Sequence, residues 1–244
     1  MRTRSIALTL ALGLTAASRA HAQYDIARHE RTTREPTPWV VGGDFAFAKP
    51  QGAFRDNVKQ GFGGGAHVIY RLDPAGIVGL RLDGGFLVYG DEHRTVPFSN
   101  TVGGRVNLDL NTTNNIAFVG IGPQLGVPNG RLRPYVNGYA GMSYLFTQSS
   151  VRGTSSGEAF ASSTNYHDGT FSYGGGAGLY VPLHRGPSPV SLDLGVRYHD
   201  NGRARYLREG DITDNNDNTI TVHPRYTDTD LLSFHLGVSV GVSH

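Results

Sequence analysis

The sequence predicts an all-β fold: one closed, antiparallel, up-and-down transmembrane β-barrel, of eight strands, with long hairpins at one end. Three observations predict it. Apolar and polar residues alternate with period two in segment after segment from Trp39 onward, the connections between segments are alternately short and long, and 34 of the 244 residues are glycine. That is about twice ordinary glycine usage. No three-residue glycine period exists, and Tyr, Phe, Val and Leu recur throughout, so collagen and simple disorder are excluded.

Taken in order, the N-terminus reads as a secretory signal peptide, residues 1–22. Arg2 and Arg4 supply a positive start, Ile6 to Ala17 an apolar stretch, and Ala20-His21-Ala22 a small-x-small cleavage site before Gln23. The apolar stretch is too short for a spanning helix, which needs about 20 residues. Arg2, Arg4 and Arg19 leave with the signal, so 22 basic against 20 acidic groups becomes 19 against 20, and nucleic acid loses its electrostatic argument as a partner. The absence of cysteine excludes disulfides, thiol chemistry and thiolate metal sites. Residues 23–38, polar and ending in Pro36 and Pro38, read as a flexible lead-in, and residues 39–244 as the barrel domain.

The closing segment alternates most clearly. Leu232, Phe234, Leu236, Val238, Val240 and Val242 share one face, and Ser233, His235, Gly237, Ser239, Gly241 and Ser243 the other. Val190, Leu192, Leu194, Val196 and Tyr198 likewise oppose Ser191, Asp193, Gly195, Arg197 and His199. Val136, Ala140, Met142, Tyr144 and Phe146 oppose Tyr135, Asn137, Tyr139, Gly141 and Ser143; Phe62, Ala66, Val68, Tyr70 and Leu72 oppose Gly63, Gly65, His67 and Arg71. Further strands are expected near 39–48, 77–89 and 171–181.

Asp73 to Gly76, Val127 to Arg133 and His184 to Pro189 are short and rich in Pro or Gly, as tight turns are. Lys49 to Gln60, Ser149 to Asp168 and Gly202 to Thr229 are long and polar and read as loops. Between Asp91 and Asn115 the alternation of Val106, Leu108 and Leu110 invites an extra strand. A ninth strand would break the even number such barrels have, so a long hairpin turning near Ser99 to Gly104 is preferred, with ten strands as the alternative.

Alternation alone fits a soluble barrel as well as a membrane one, and the polar face decides between them. It carries Asp44, His67, Arg71, Arg81, Asp83, Asp193, Arg197 and His199 among glycines, while the whole chain has only two lysines, Lys49 and Lys59. Aromatic residues toward strand ends, Trp39, Tyr70, Tyr89, Tyr135, Phe146, Tyr180 and Tyr198, suit interfacial belts. In its opening Trp-Val-Val-Gly-Gly-Asp-Phe strand, its Gly-Phe-Gly-Gly-Gly-Ala second strand and its closing Phe-His-Leu-Gly-Val-Ser-Val-Gly-Val strand, the chain from Trp39 to His244 resembles the outer-membrane β-barrel family of OmpA-like and OmpX-like porin-family proteins. The resemblance implies export to the cell outer membrane, a periplasmic lead-in, and contact with lipid, lipopolysaccharide and the outer-membrane assembly machinery. Such chains usually end in an aromatic residue, and this one departs from them by ending Val242-Ser243-His244.

The inward charges could form an ion path or narrow channel. The preferred reading is a structural network, Arg71, Arg81 and Arg197 pairing with Asp44, Asp83 and Asp193 beside His67 and His199, because eight strands enclose room only for side chains. Arg197-Tyr198-His199-Asp200-Asn201-Gly202 faintly resembles the His-x-Ser-Asn stretch of lipid A deacylases, but Asp200 stands where the nucleophilic Ser belongs. Ser233 and His235 share His199's face. Arg203, Arg205 and Arg208 could meet lipopolysaccharide phosphates. Asp211, Asp214 and Asp217 lack the spacing of a calcium loop and read as solvated, and Gly61 to Gly65 is no phosphate loop because no helix follows. The expectation is a monomeric, non-enzymatic barrel without cofactor or metal, serving envelope integrity and surface-loop interaction.

Overall fold

A strand alternates usefully only if its two faces meet different surroundings, and closure of the sheet supplies them. The computed structural model describes residues 37–98, 107–154, 158–215, 217 and 219–242. Its strands, in chain order, are β1 (Trp39–Pro50), β2 (Gly61–Arg71), β3 (Val78–Pro97), β4 (Asn107–Gly126), β5 (Arg133–Gly153), β6 (Ala159–His184), β7 (Val190–Asn201), four short ones, β8 (Arg203–Tyr206), β9 (Ile212–Asp214), β10 (Ile220–Val222) and β11 (Arg225–Asp228), and β12 (Leu231–Val242). β1 to β7 and β12 form a closed antiparallel ring of eight, sealed where Trp39 faces Val242 and Pro50 faces Leu231. The signal peptide, residues 23–36 of the lead-in, and the expected turn at Ser99 to Gly104 lie outside the described residues.

The ring decides for eight strands against ten. Residues 91–97 extend β3 and 107–115 extend β4, paired continuously but for one bulge at Val88/Gly90. The expected long loop from Ser149 to Asp168 is, in contrast, mostly strand. β5 runs on to Gly153 and β6 starts at Ala159, with Gln148 opposite Thr164 and Ser150 opposite Ser162. Above a membrane both faces of a hairpin meet water, so the polar–apolar alternation that marks the lower strands has no reason to persist there. The loop from Gly202 to Thr229 also holds order: β8 pairs with β11 and β9 with β10.

The faces follow the alternation. Phe45, Leu82, Val119, Met142, Phe171 and Leu236 point outward, while Arg81, Asp83, Asp193, Ser239 and their parity mates are buried inside. Trp39 and Tyr70 pack together outside at the short-turn end, ring centroids 4.7 Å apart. Tyr89, Tyr135 and Tyr180 depart from the belt reading. They share parity with the inward residues and bond inside the barrel: Tyr89 to the Leu207 carbonyl, Tyr135 to Asp193, and Tyr180 to Arg81.

Inward glycines make the lumen fillable. A Cβ on Gly42 would lie 2.5 Å from the His67 ring, and one on Gly195 would collide with the His235 ring. At the short-turn end, the Asp73 carboxylate accepts from the Val78 and Ile77 amides at 2.6 and 3.1 Å, and Gly76 takes φ 73°, closing the β2–β3 turn.

The long-hairpin end of the lumen is shut by apolar side chains from two loops. One helical turn, α1 (Gly52–Arg55), drops Phe54 onto Leu87, Tyr89, Ile116 and Leu145, and β8 adds Ala204 and Tyr206. Phe54 meets Tyr206 edge-on at 4.9 Å and Tyr89 at 5.7 Å. Each fully buried large apolar side chain contributes about 1.5–3 kcal/mol, which suffices to hold a short turn and a four-residue strand over the opening.

Candidate functional site

Below this stopper the lumen is polar, and its chemistry follows from which strands bring charges to one height. β3 contributes Arg81 and Asp83 and β7 contributes Asp193 and Arg197. One oxygen of Asp83 accepts from both Arg81 Nε and Arg197 Nη2, each at 2.8 Å. Arg81 Nη1 also donates to Gln124 Oε1 at 3.0 Å and to the Tyr180 hydroxyl at 3.2 Å. Asp193 accepts from the Tyr135 hydroxyl at 2.8 Å, with His235 Nε2 3.0 Å from the same hydroxyl. His67 sits between Asp44, at 3.9 Å, and Asp193, at 3.8 Å, and its Nε2 lies 3.0 Å from Ser239 Oγ. The guanidinium groups of Arg81 and Arg197 stack over Tyr135 and Tyr139.

Seven of the eight expected lumen residues therefore lie within the barrel's polar interior, but the pairing is not one Arg to one Asp. Asp83 serves two arginines, Asp44 and Asp193 face histidines, and Arg71 stands apart at the short-turn end, donating to the Thr37 carbonyl at 3.1 Å. Tyrosines, Gln124 and His235 supply much of the hydrogen bonding, and sequence reasoning missed these roles although parity pointed all of them inward.

His199 and Ser233 do meet. His199 Nε2 is 3.0 Å from Ser233 Oγ, and its Nδ1 is 2.6 Å from the Tyr139 hydroxyl. Ser233 spends its own proton on the Arg197 carbonyl at 3.3 Å. That bond commits the Ser233 proton to a backbone carbonyl, and the group that meets His199 Nδ1 is the Tyr139 hydroxyl, which also lies 3.1 Å from Ser172 Oγ. Asp200 lies on the opposite face of β7 from His199, near Tyr173. His199 and Ser233 are also buried, His199 at 3 % exposure, beneath the stopper.

The loop arginines do not form one free cluster. Arg203 lies 3.4 Å from Asp228, Arg205 stacks over Tyr226, and Arg208 is bound to Asp211. Asp211 departs from the solvated reading. It is buried and accepts from Arg225 Nη2 at 3.1 Å and from the Arg208 amide at 3.2 Å. Burial pushes its carboxyl up, but the bonds from Arg225 and the Arg208 backbone outweigh that and hold it below the usual carboxylate range. Asp214 faces Arg94 at 3.8 Å, and Asp217 accepts from Thr219. Among the described residues no group of His, Asp and Glu could hold a metal ion.

No curated protein matches the chain significantly. Among solved structures, Neisserial surface protein A is similar at 16% identity, with a TM-score of 0.42 over 86% of this chain and 100% of that one. Ail, the attachment invasion locus protein of Yersinia pestis, is similar at 15% identity, TM-score 0.43, over 83% and 96%. The N-terminal β-barrel domain of Pseudomonas aeruginosa OprF gives 16% identity and TM-score 0.33 over 84% and 98%. Residues 7–242 match the sequence profile of the outer membrane protein beta-barrel domain. That match spans nearly the whole chain, which therefore belongs to the outer-membrane β-barrel domain family.

Proposed function

We propose that this protein is a non-enzymatic barrel of the outer membrane, exported by its signal peptide and monomeric, that supports envelope integrity and offers a protruding sheet to partners outside the cell. The observation that carries this reading is the free edge of β6. β7 joins β6 only from Ser172, and Gly202 and Arg205 bond to it at Phe171 and Asp168, so no described strand pairs with the outer side of Ala159 to Tyr166. That stretch, Ala-Phe-Ala-Ser-Ser-Thr-Asn-Tyr, carries no charge and no proline, and most of its side chains are exposed. The opposite edge, on β3, holds Glu92, Arg94 and Pro97, which discourage pairing. An extended segment of another protein could add to the β6 edge through main-chain hydrogen bonds. At the membrane surface, Arg203 and Arg205 are suited to lipopolysaccharide phosphates.

Two measurements test this. In planar bilayers the refolded protein should give no conductance steps, since the lumen is filled and stoppered; regular steps would favour a channel. In a linear-peptide library panned against the protein, the recovered peptides should lose binding to Ser162→Lys/Thr164→Lys. Peptides indifferent to that change would reject the edge.

A further inference from the structure

The short-turn end of the barrel holds a cavity of a different kind from the network above it. Val40, Ile69 and Pro134 contribute apolar walls, and Arg71, Gln124, Arg133, Tyr180, Ser191 and Ser239 the polar ones. Its volume is about 60 Å³. At the roughly 10–15 Å³ a water needs, that is room for about four to six waters, or for a small tetrahedral oxyanion in their place.

Among the described residues no carboxylate lines this cavity, although two guanidinium groups do. Neither Arg71 nor Arg133 reaches a carboxylate within ion-pair distance among the described residues, and Arg133 Nε is buried without a partner. The charged groups acting on Arg133 are Arg185 and Arg71, both positive. The nearest acid to Arg71, Asp73, already accepts two amides of its own turn. Gln124 and Tyr180 line the cavity and accept from Arg81, and Gln124 also bonds the Tyr180 hydroxyl, so the donor this pair has left to offer is the hydroxyl proton. Two partly buried cations and the Tyr180 hydroxyl, with no carboxylate among the described lining residues, make an incomplete site, because a charge withdrawn from water needs a counter-charge.

We propose that the periplasmic mouth of the barrel binds a phosphate-type oxyanion between Arg71 and Arg133, either free in the periplasm or as the headgroup of an anionic phospholipid of the inner leaflet. Binding there would tie the lower ends of β2 and β5, which carry the two arginines, across the opening.

The single tryptophan, Trp39, packs against Tyr70 beside Arg71 and gives a local reporter. Titration of inorganic phosphate into the protein in octyl glucoside should change Trp39 fluorescence saturably. Arg133→Gln should weaken that binding about tenfold or more, a loss of roughly 1.4 kcal/mol or greater, while Arg203→Gln should not. In four-to-one phosphatidylcholine and brominated phosphatidylglycerol vesicles, quenching of Trp39 beyond that by brominated phosphatidylcholine, lost in Arg71→Gln, would assign the headgroup as the source. Phosphate binding without such excess quenching would assign the free anion. No saturable response to either probe, or a response indifferent to both arginine substitutions, would overturn the proposal.

Discussion

Replacing Asp83 by Asn keeps the shape of the side chain and removes the one carboxylate that two buried arginines share. Both Arg81 Nε and Arg197 Nη2 lie 2.8 Å from the same Asp83 oxygen, and the Arg81 side chain is 2% exposed and that of Arg197 8%. Taking one partner from a buried ionic group costs about 3–5 kcal/mol, because the remaining charge is left uncompensated. Asp44 makes the contrast. Its only ionic partner among the described residues is His67 at 3.9 Å, beyond hydrogen-bond reach, so Asp44→Asn should cost about 1 kcal/mol or less. Urea unfolding in phosphatidylcholine vesicles, read as the electrophoretic mobility of folded and unfolded forms, separates the two. Arg81→Met/Asp83→Leu/Arg197→Met should recover much of the loss, since apolar replacement of a whole buried ionic set is often neutral. If Asp83→Asn and Asp44→Asn destabilise equally, or if Asp83→Asn costs under about 1 kcal/mol, the network does not hold the strands as described.

Leu236→Arg places a charge on the lipid face at mid-strand and should cost about 2–4 kcal/mol; Ser239→Ala, which loses only a lumen hydrogen bond to His67, should cost about 1 kcal/mol, and equal folding yields in vesicles would reject the facing. Because the folded carboxyl of Asp211 is depressed, its contribution is fully present above the unfolded value of about 3.9 and is lost as pH falls through the lower folded value. Hydrogen exchange of β8 and β11 should therefore quicken at such acid pH, and Asp211→Asn should remove that pH dependence. Expression of the protein, or of His199→Ala or Ser233→Ala, should leave the lipid A acylation pattern of the host unchanged by mass spectrometry; an acyl change abolished by either substitution would make that pair an active site. Mass spectrometry of envelope fractions should find a mature N-terminus at Gln23.

Alternation revealed the barrel because lipid and lumen impose opposite demands on successive residues, and so the inward places of Asp83, Asp193, Arg197 and Ser239 were legible. It failed where those demands cease. Along Ser149–Gly153 and Ala159–Tyr166 the strands have no clear apolar face, and a strand with two polar faces reads as a loop. Tyrosine misled for a related reason: a ring with a hydroxyl suits a membrane interface and a polar lumen equally. Parity should have decided, since Tyr89 continues the series Arg81, Asp83, Leu87, and Tyr180 the series Gly174, Gly176, Gly178. The stopper was illegible because it joins loops distant in sequence, and the pairing of Asp211 because it depends on how one long loop folds back on itself; periodicity carries no information about either. The arginine mouth was hidden similarly, Arg71 and Arg133 being remote until the ring closes.

Phe54 follows β1 and Tyr206 precedes β12, so their ring contact spans the seam that joins the two ends of the sheet. Trp39 and Val242, paired at that seam, are about two hundred positions apart, and no tight turn helps them find one another. A barrel parting along the β1–β12 line must first pull Phe54 from Tyr206. A contact of this kind, if it is made only once the ring has closed, slows unfolding without hastening folding. On that order of events the rings that shut the lumen act as a latch across the seam, and their loss should speed unfolding more than it slows folding.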